Sequence, residues 1–149
     1  MNSFQHIGPA SPRSRPFLLF SPFLLLYSAI VIVLSKNELI IDEPSYLGYV
    51  SNLLNGYYSP PPPDIDLWHA PGYPLLLTPF VAAGAPLLLI RLLNAVFLYF
   101  SVVLFYKLMC KLISPKLALY AAIVSGCYWL AWKGLPLIMT ETFVFFLVT

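Results

Sequence analysis

Phe17 to Leu34 reads FLLFSPFLLLYSAIVIVL, eighteen positions without a charge. At a helical rise of about 1.5 Å per residue the run covers about 27 Å, close to the hydrocarbon thickness of a bilayer. Pro22 lies in its first two turns, where proline bends a helix without breaking it. Arg13 and Arg15 stand before the run. A basic flank stays in the cytoplasm, so residues 1–16 are expected inside and 17–34 as the first span. The competing reading is a cleaved signal peptide. The run is long for such a segment, and SKNELI offers no small-residue cleavage site.

Outward from this run, the second apolar stretch is Pro86 to Tyr106, PLLLIRLLNAVFLYFSVVLFY, interrupted only by Arg91. Lys107, Lys111 and Lys116 follow with no acid nearby, which places 107–116 in the cytoplasm. Two basic flanks on one side demand an even number of crossings, so 86–106 is the second span. The preceding APGYPLLLTPFVAAGA is too broken by proline and glycine to cross, and is expected to lie at the outer surface as a helix over about 74–84. Residues 117–132 return outward as a third span, with Tyr128, Trp129 and Trp132 as an aromatic belt. Residues 133–140 form an outer turn. Residues 141–149 open a fourth span too short to cross alone, so the chain is expected to be the start of a longer protein.

The composition agrees. Of 149 residues, 60% are hydrophobic and 9% charged, with formal charge +2 and mean hydropathy +0.82. A soluble domain carries about 25% charge, and a disordered chain needs low hydrophobicity. Eight scattered basic residues make no nucleic-acid patch. Cys110 and Cys127 are apolar packers rather than a disulfide framework. The expected fold is therefore an all-α integral membrane protein, a multi-span helical bundle of the inner cell membrane. Its N-terminus faces the cytoplasm, and short interfacial helices occupy its first outer loop.

That loop, 35–85, carries the candidate chemistry. Residues 35–69 set one lysine against five carboxylates, Glu38, Asp42, Glu43, Asp64 and Asp66. Asp42-Glu43-Pro44 is a helix start and Asn55-Gly56 a helix stop, which predicts a helix over about 43–55 with Leu47, Val50 and Leu54 on one stripe. Asp42 reads as a helix cap or as a general base, and the roles are compatible if one acid caps while its neighbour faces a cleft. Pro60 to Pro63 predict a polyproline II spacer. Asp64, Asp66 and His69 are a loose candidate set for a divalent metal, set against a solvated turn. His69 is an interfacial aromatic or a donor to a phosphate oxygen. Arg91, with Asn94 at i+3, either snorkels to outer headgroups or holds an anion in a cavity. Glu141 starts the fourth helix, and Lys133 is its expected partner.

The order of these features resembles the N-terminal part of GT-C glycosyltransferases. The carriers are Asp42-Glu43 at the start of a tyrosine-rich helix, the Pro71-Gly72-Tyr73-Pro74 stretch, Arg91-Leu92-Leu93-Asn94 at a span start, a basic inner turn and Thr140-Glu141-Thr142. The resemblance lies with the dolichyl-phosphate-mannose protein mannosyltransferase-like and aminoarabinose-transferase-like group, over about residues 17–149. It implies transfer of a sugar from a polyprenyl-phosphate donor to a lipid, glycan or protein hydroxyl outside the cytoplasm. By the same resemblance Asp42 is the general base with Glu43 beside it, His69 and Arg91 are donor-phosphate ligands, and Tyr46, Tyr73 and Glu141 line the cleft. His69 stands where relatives carry a basic residue. A transporter or lipid flippase and a small non-catalytic membrane subunit are the alternatives. Against the first stand acids that cluster outside the spans and the lack of a repeat.

Overall fold

A computed structural model describes residues 15–149; the Arg13 flank used to orient the chain lies outside them. Among the described residues the structure is all-helical: α1 (Arg15–Leu34), α2 (Glu43–Leu54), α3 (Gly72–Ala82), α4 (Leu87–Leu112), α5 (Pro115–Gly126), α6 (Trp129–Gly134) and α7 (Glu141–Val148). Two helices, Pro16–Leu34 and Leu87–Leu112, are long and apolar enough to cross a membrane.

α4 is the hub, packed by α1, α5 and α7. α1 runs antiparallel to it. Phe17 meets Phe100 and Phe20 meets Tyr106 at one end, while Arg91 binds the Lys36 carbonyl at the other. Only the Phe20, Tyr27 and Val31 stripe of α1 is buried. Leu18, Leu25 and Val33 stay more than 70% exposed, so the helix is apolar on its open side too.

Three expectations about the elements change. The second long helix continues six residues past Tyr106 to Leu112. Lys107 does not end it, because its ammonium sits 4.1 Å over the Phe17 ring. Pro115 ends it instead, by disfavouring helical backbone at Ser114, which with Ile113 is extended. The third span expected over 117–132 is two pieces. α5 has 12 residues, about 18 Å. It stops because the Gly126 carbonyl accepts the Tyr27 hydroxyl at 2.7 Å and the Trp132 indole at 3.0 Å instead of the next helical amide. The polyproline spacer is not straight, since the Asp64 amide closes a turn onto the Pro61 carbonyl.

α2 and α3 pack on each other and stand at the end of the α1–α4 pair where α1 finishes and α4 begins. Gly56 (φ +88°) and Gly84 (φ +70°) terminate them in left-handed backbone that glycine adopts without strain. The buried face of α2 is Glu43, Tyr46, Tyr49 and Val50. Of the expected stripe Val50 is buried, as is Tyr46 beside it, and Leu47 packs against them, but Leu54 is half exposed and Glu43 and Tyr49 turn inward. Polar side chains decide that inward turn.

Candidate functional site

The site grows from the turn before α2. Ile41 has φ +59°, a conformation that a β-branched residue adopts at a cost of about 1–3 kcal/mol. The turn brings Glu43 inward, fully buried, against Arg91 of α4, which is 1% exposed. Arg91 donates Nε–H to Oε1 and Nη2–H to Oε2 of Glu43, both at 2.8 Å. The Ile40 amide reaches Oε2 at 3.0 Å and the Ile138 amide reaches Oε1 at 2.8 Å. Four donors thus fill the carboxylate. Burial alone would push its pKa up; the Arg91 bond, the two amides and the Arg91 charge outweigh it and hold Glu43 below its ordinary value.

Arg91 also donates to the carbonyls of Lys36 and Glu38. Four of its five N–H groups are held by the chain itself. These bonds bear on both side chains. Glu43 is not a free catalytic carboxylate beside the base, because its lone pairs are filled and its proton affinity is lowered. Arg91 does not snorkel to outer headgroups; with four donors engaged inside the chain it fixes the first loop to α4 and, through Glu43, to the α6–α7 connection.

One turn along α4, Asn94 is the second buried node. Its Oδ1 accepts the Tyr73 hydroxyl at 3.2 Å and the Thr142 hydroxyl at 2.9 Å. Its Nδ2 donates to the carbonyls of Leu135 and Leu137. Tyr73, expected to line the cleft, is instead 2% exposed and ties α3 to α4. Asn94 and Thr142 were visible beforehand as members of the Arg91-Leu92-Leu93-Asn94 and Thr140-Glu141-Thr142 motifs, with no sign that the two side chains meet.

Of the adjacent acids, Glu43 is engaged and Asp42 is not. It occupies the N-cap position of α2, half-buried, and its carboxylate makes no capping bond. Its carbonyl accepts the Tyr46 amide at 3.1 Å, so Tyr46 follows on the same face. The Tyr46 hydroxyl pairs with Thr140 Oγ1 at 3.3 Å. Burial raises the Tyr46 pKa, the Thr140 bond opposes this, and the charges of Glu141 and Asp42 add to the rise. Both carboxylates therefore act on one hydroxyl. The His69 ring lies 4.4 Å from the Tyr46 ring, and Tyr73 meets Tyr46 edge-on at 5.3 Å. Tyr46 thus lies between the His69 ring and the start of α7, one turn after Asp42.

A network across the loop places His69. The Tyr58 ring stacks on Tyr49 at 4.7 Å, and its hydroxyl bonds the His69 carbonyl. Asp66 accepts the Tyr49 hydroxyl and the Trp68 amide. These bonds, the Tyr49 hydroxyl first, hold the Asp66 carboxyl below its ordinary range. Asp66 is thus engaged in loop structure while Asp64 is exposed. Among the described residues no group of three or more His, Cys, Asp or Glu side chains is placed to hold a metal ion.

A cavity of about 270 Å³ opens beside Ile41, with Leu137 and Met139 as apolar wall and Lys133 and Glu141 as polar lining. Lys133 does not pair with Glu141; its ammonium lies 4.2 Å over the Trp129 ring. The one ion pair among the described residues is Glu43–Arg91. The arrangement offers a free carboxylate, an imidazole on an aromatic platform and an amphiphilic cavity between two connecting segments. Comparison with family models, curated proteins and solved structures finds no match to this chain.

Proposed function

We propose that the chain is the N-terminal part of a multi-pass inner-membrane glycosyltransferase of the GT-C kind, with its first inter-span loop outside the cytoplasm. The donor is a sugar on a polyprenyl phosphate, and the acceptor is a lipid, glycan or protein hydroxyl. Asp42 takes the acceptor proton as the oxygen attacks the anomeric carbon. The bond to the donor phosphate breaks, the phosphate leaves with the electron pair, and the anomeric centre inverts. His69 donates a hydrogen bond to the departing phosphate, and Glu141 shapes the acceptor side.

The observation that carries this reading is the division of labour between adjacent acids. Glu43 is filled by four donors and anchors the loop, while Asp42 makes no capping bond one turn before Tyr46, whose ring packs on His69 and whose hydroxyl bonds Thr140. An ordered carboxylate with free lone pairs is what proton abstraction requires. The exposed apolar faces of α1 and α4 support placement in a bilayer, since a water-facing surface of this kind would aggregate.

The test is Asp42→Asn in the protein expressed from its own gene, assayed in membranes for labelled-sugar transfer from polyprenyl-phosphate donors. Loss of a general base lowers turnover by about 100-fold or more. Asp42→Asn must leave the level of membrane-inserted protein unchanged. Retention of normal turnover in Asp42→Asn refutes the assignment.

A further inference from the structure

We propose that a second cavity, between the end of α1 and the start of α4, is a phosphate-binding site at the membrane surface. It has a volume of about 330 Å³. Ser35, Lys36 and Asn37 line one side, and Leu87, Leu88 and Arg91 the other. None of its lining residues is Asp42, Tyr46, His69 or Glu141.

Four observations point to an anion carrying oxygen acceptors. The Ser35 hydroxyl oxygen is buried and has no hydrogen-bond partner, the single such side-chain atom among the described residues. A buried orphan hydroxyl is destabilising unless something fills it. Lys36 is exposed and forms no ion pair within the described residues. Arg91, buried in the cavity wall, has one N–H left beyond the four already bonded. The amides of Leu87 and Leu88 open a 26-residue helix with no capping side chain. The first carbonyl in that turn, Pro86, serves Leu89 and Ile90 instead. A phosphate group carries acceptor oxygens for donors of each of these kinds.

The rim explains why the phosphate belongs to an amphiphile. Ile32 and Leu88 line the same cavity and are exposed, continuing the apolar open side of α1. A headgroup phosphate seated at Lys36 and Ser35 leaves its acyl chains along that face. Arg91 is a secondary contact, since Glu43 holds its charge; Lys36 supplies the net attraction.

The proposal rests on α1 and α4 crossing a membrane and not on glycosyl transfer. Resistance of the chain to alkaline carbonate extraction checks that premise separately. The test titrates detergent-solubilised wild type, Lys36→Glu and Ser35→Ala with dihexanoyl phosphatidylglycerol, and in parallel with inorganic phosphate, by calorimetry. Neither substitution touches the Glu43–Arg91 pair, and circular dichroism verifies folding. Loss of the charge-assisted contact in Lys36→Glu weakens binding about tenfold or more, and Ser35→Ala weakens it by a smaller factor. Tighter binding of the phosphatidylglycerol than of phosphate assigns the site to a lipid headgroup. Equal binding of both, sensitive to Lys36→Glu, assigns it to free phosphate. Absence of binding, or binding that Lys36→Glu leaves unchanged, overturns the proposal. Asp42→Asn leaves this titration unaffected, so the two readings fail independently.

Discussion

Arg91→Met should unfold the first loop from the bundle. The substitution keeps an unbranched apolar stem and removes the guanidinium, leaving the Glu43 carboxylate fully buried with two backbone amides in place of four donors. Breaking a buried pair by removing one partner costs about 3–5 kcal/mol, whereas an exposed pair is worth about 0–1. Removing both charges in Glu43→Leu/Arg91→Met costs less. The Lys36 and Glu38 carbonyls lie in an exposed segment and turn to water, so the main residue is the buried Ile138 amide, at about 1–3 kcal/mol. The double variant is thus expected to be about 2 kcal/mol more stable than Arg91→Met alone. Equilibrium unfolding in mixed detergent micelles, followed by circular dichroism, measures each corner of the cycle.

The pH dependence has a sign that a surface pair would not show. In the wild type the folded pKa of Glu43 lies below its ordinary 4.5, so its contribution is present above 4.5 and lost as pH falls through the folded value. In Arg91→Met burial is the leading influence and the folded pKa rises above 4.5. The variant then gains stability as pH falls from neutral toward 4.5, and loses it again as pH rises. An Arg91→Met cost below about 1 kcal/mol refutes the lock, as does a pH slope of the same sign in both proteins.

Other perturbations follow from the same geometry. Asn94→Leu leaves the buried Tyr73 and Thr142 hydroxyls and the Leu135 and Leu137 carbonyls without their partner, and should cost about 3 kcal/mol or more in the same unfolding assay. Gly126→Ala places a Cβ 2.8 Å from the Phe23 ring and should cost about 1–3 kcal/mol. Gly48→Ala, in the middle of α2 with nothing within 4 Å, should gain about 0.5–1. Equal melting shifts for the two glycines would contradict the close approach of α1 to α5. Ile41→Asn, which tolerates φ +59° better than a β-branched side chain, should raise stability by about 1 kcal/mol, read as an upward shift in melting temperature.

Much of the fold was legible because two kinds of signal are local. Apolar length marks α1 and α4, since a helix of that composition satisfies its own backbone. Capping chemistry marks α2, where Pro44 and Asn55-Gly56 bound the helix at Glu43–Leu54. The breaks were less legible. The end of α5 depends on Tyr27, ninety-nine positions away, capturing the Gly126 carbonyl. No window around residue 126 contains that partner, so the apolar run 117–132 reads as continuous.

The roles within the site divide along the same line. The sequence alone determined that an acidic loop joins two membrane-length helices, that Asp42 and Glu43 open a helix, and that a buried arginine needs an explanation. Only the tertiary structure decided which acid is anchored and which is free. That choice turns on the left-handed backbone at Ile41 and on donors from Ile40, Arg91 and Ile138 converging on one carboxylate. Adjacent acids have nearly the same local preferences; their difference is set by partners up to ninety-five residues apart, and those distances exist only in the folded chain.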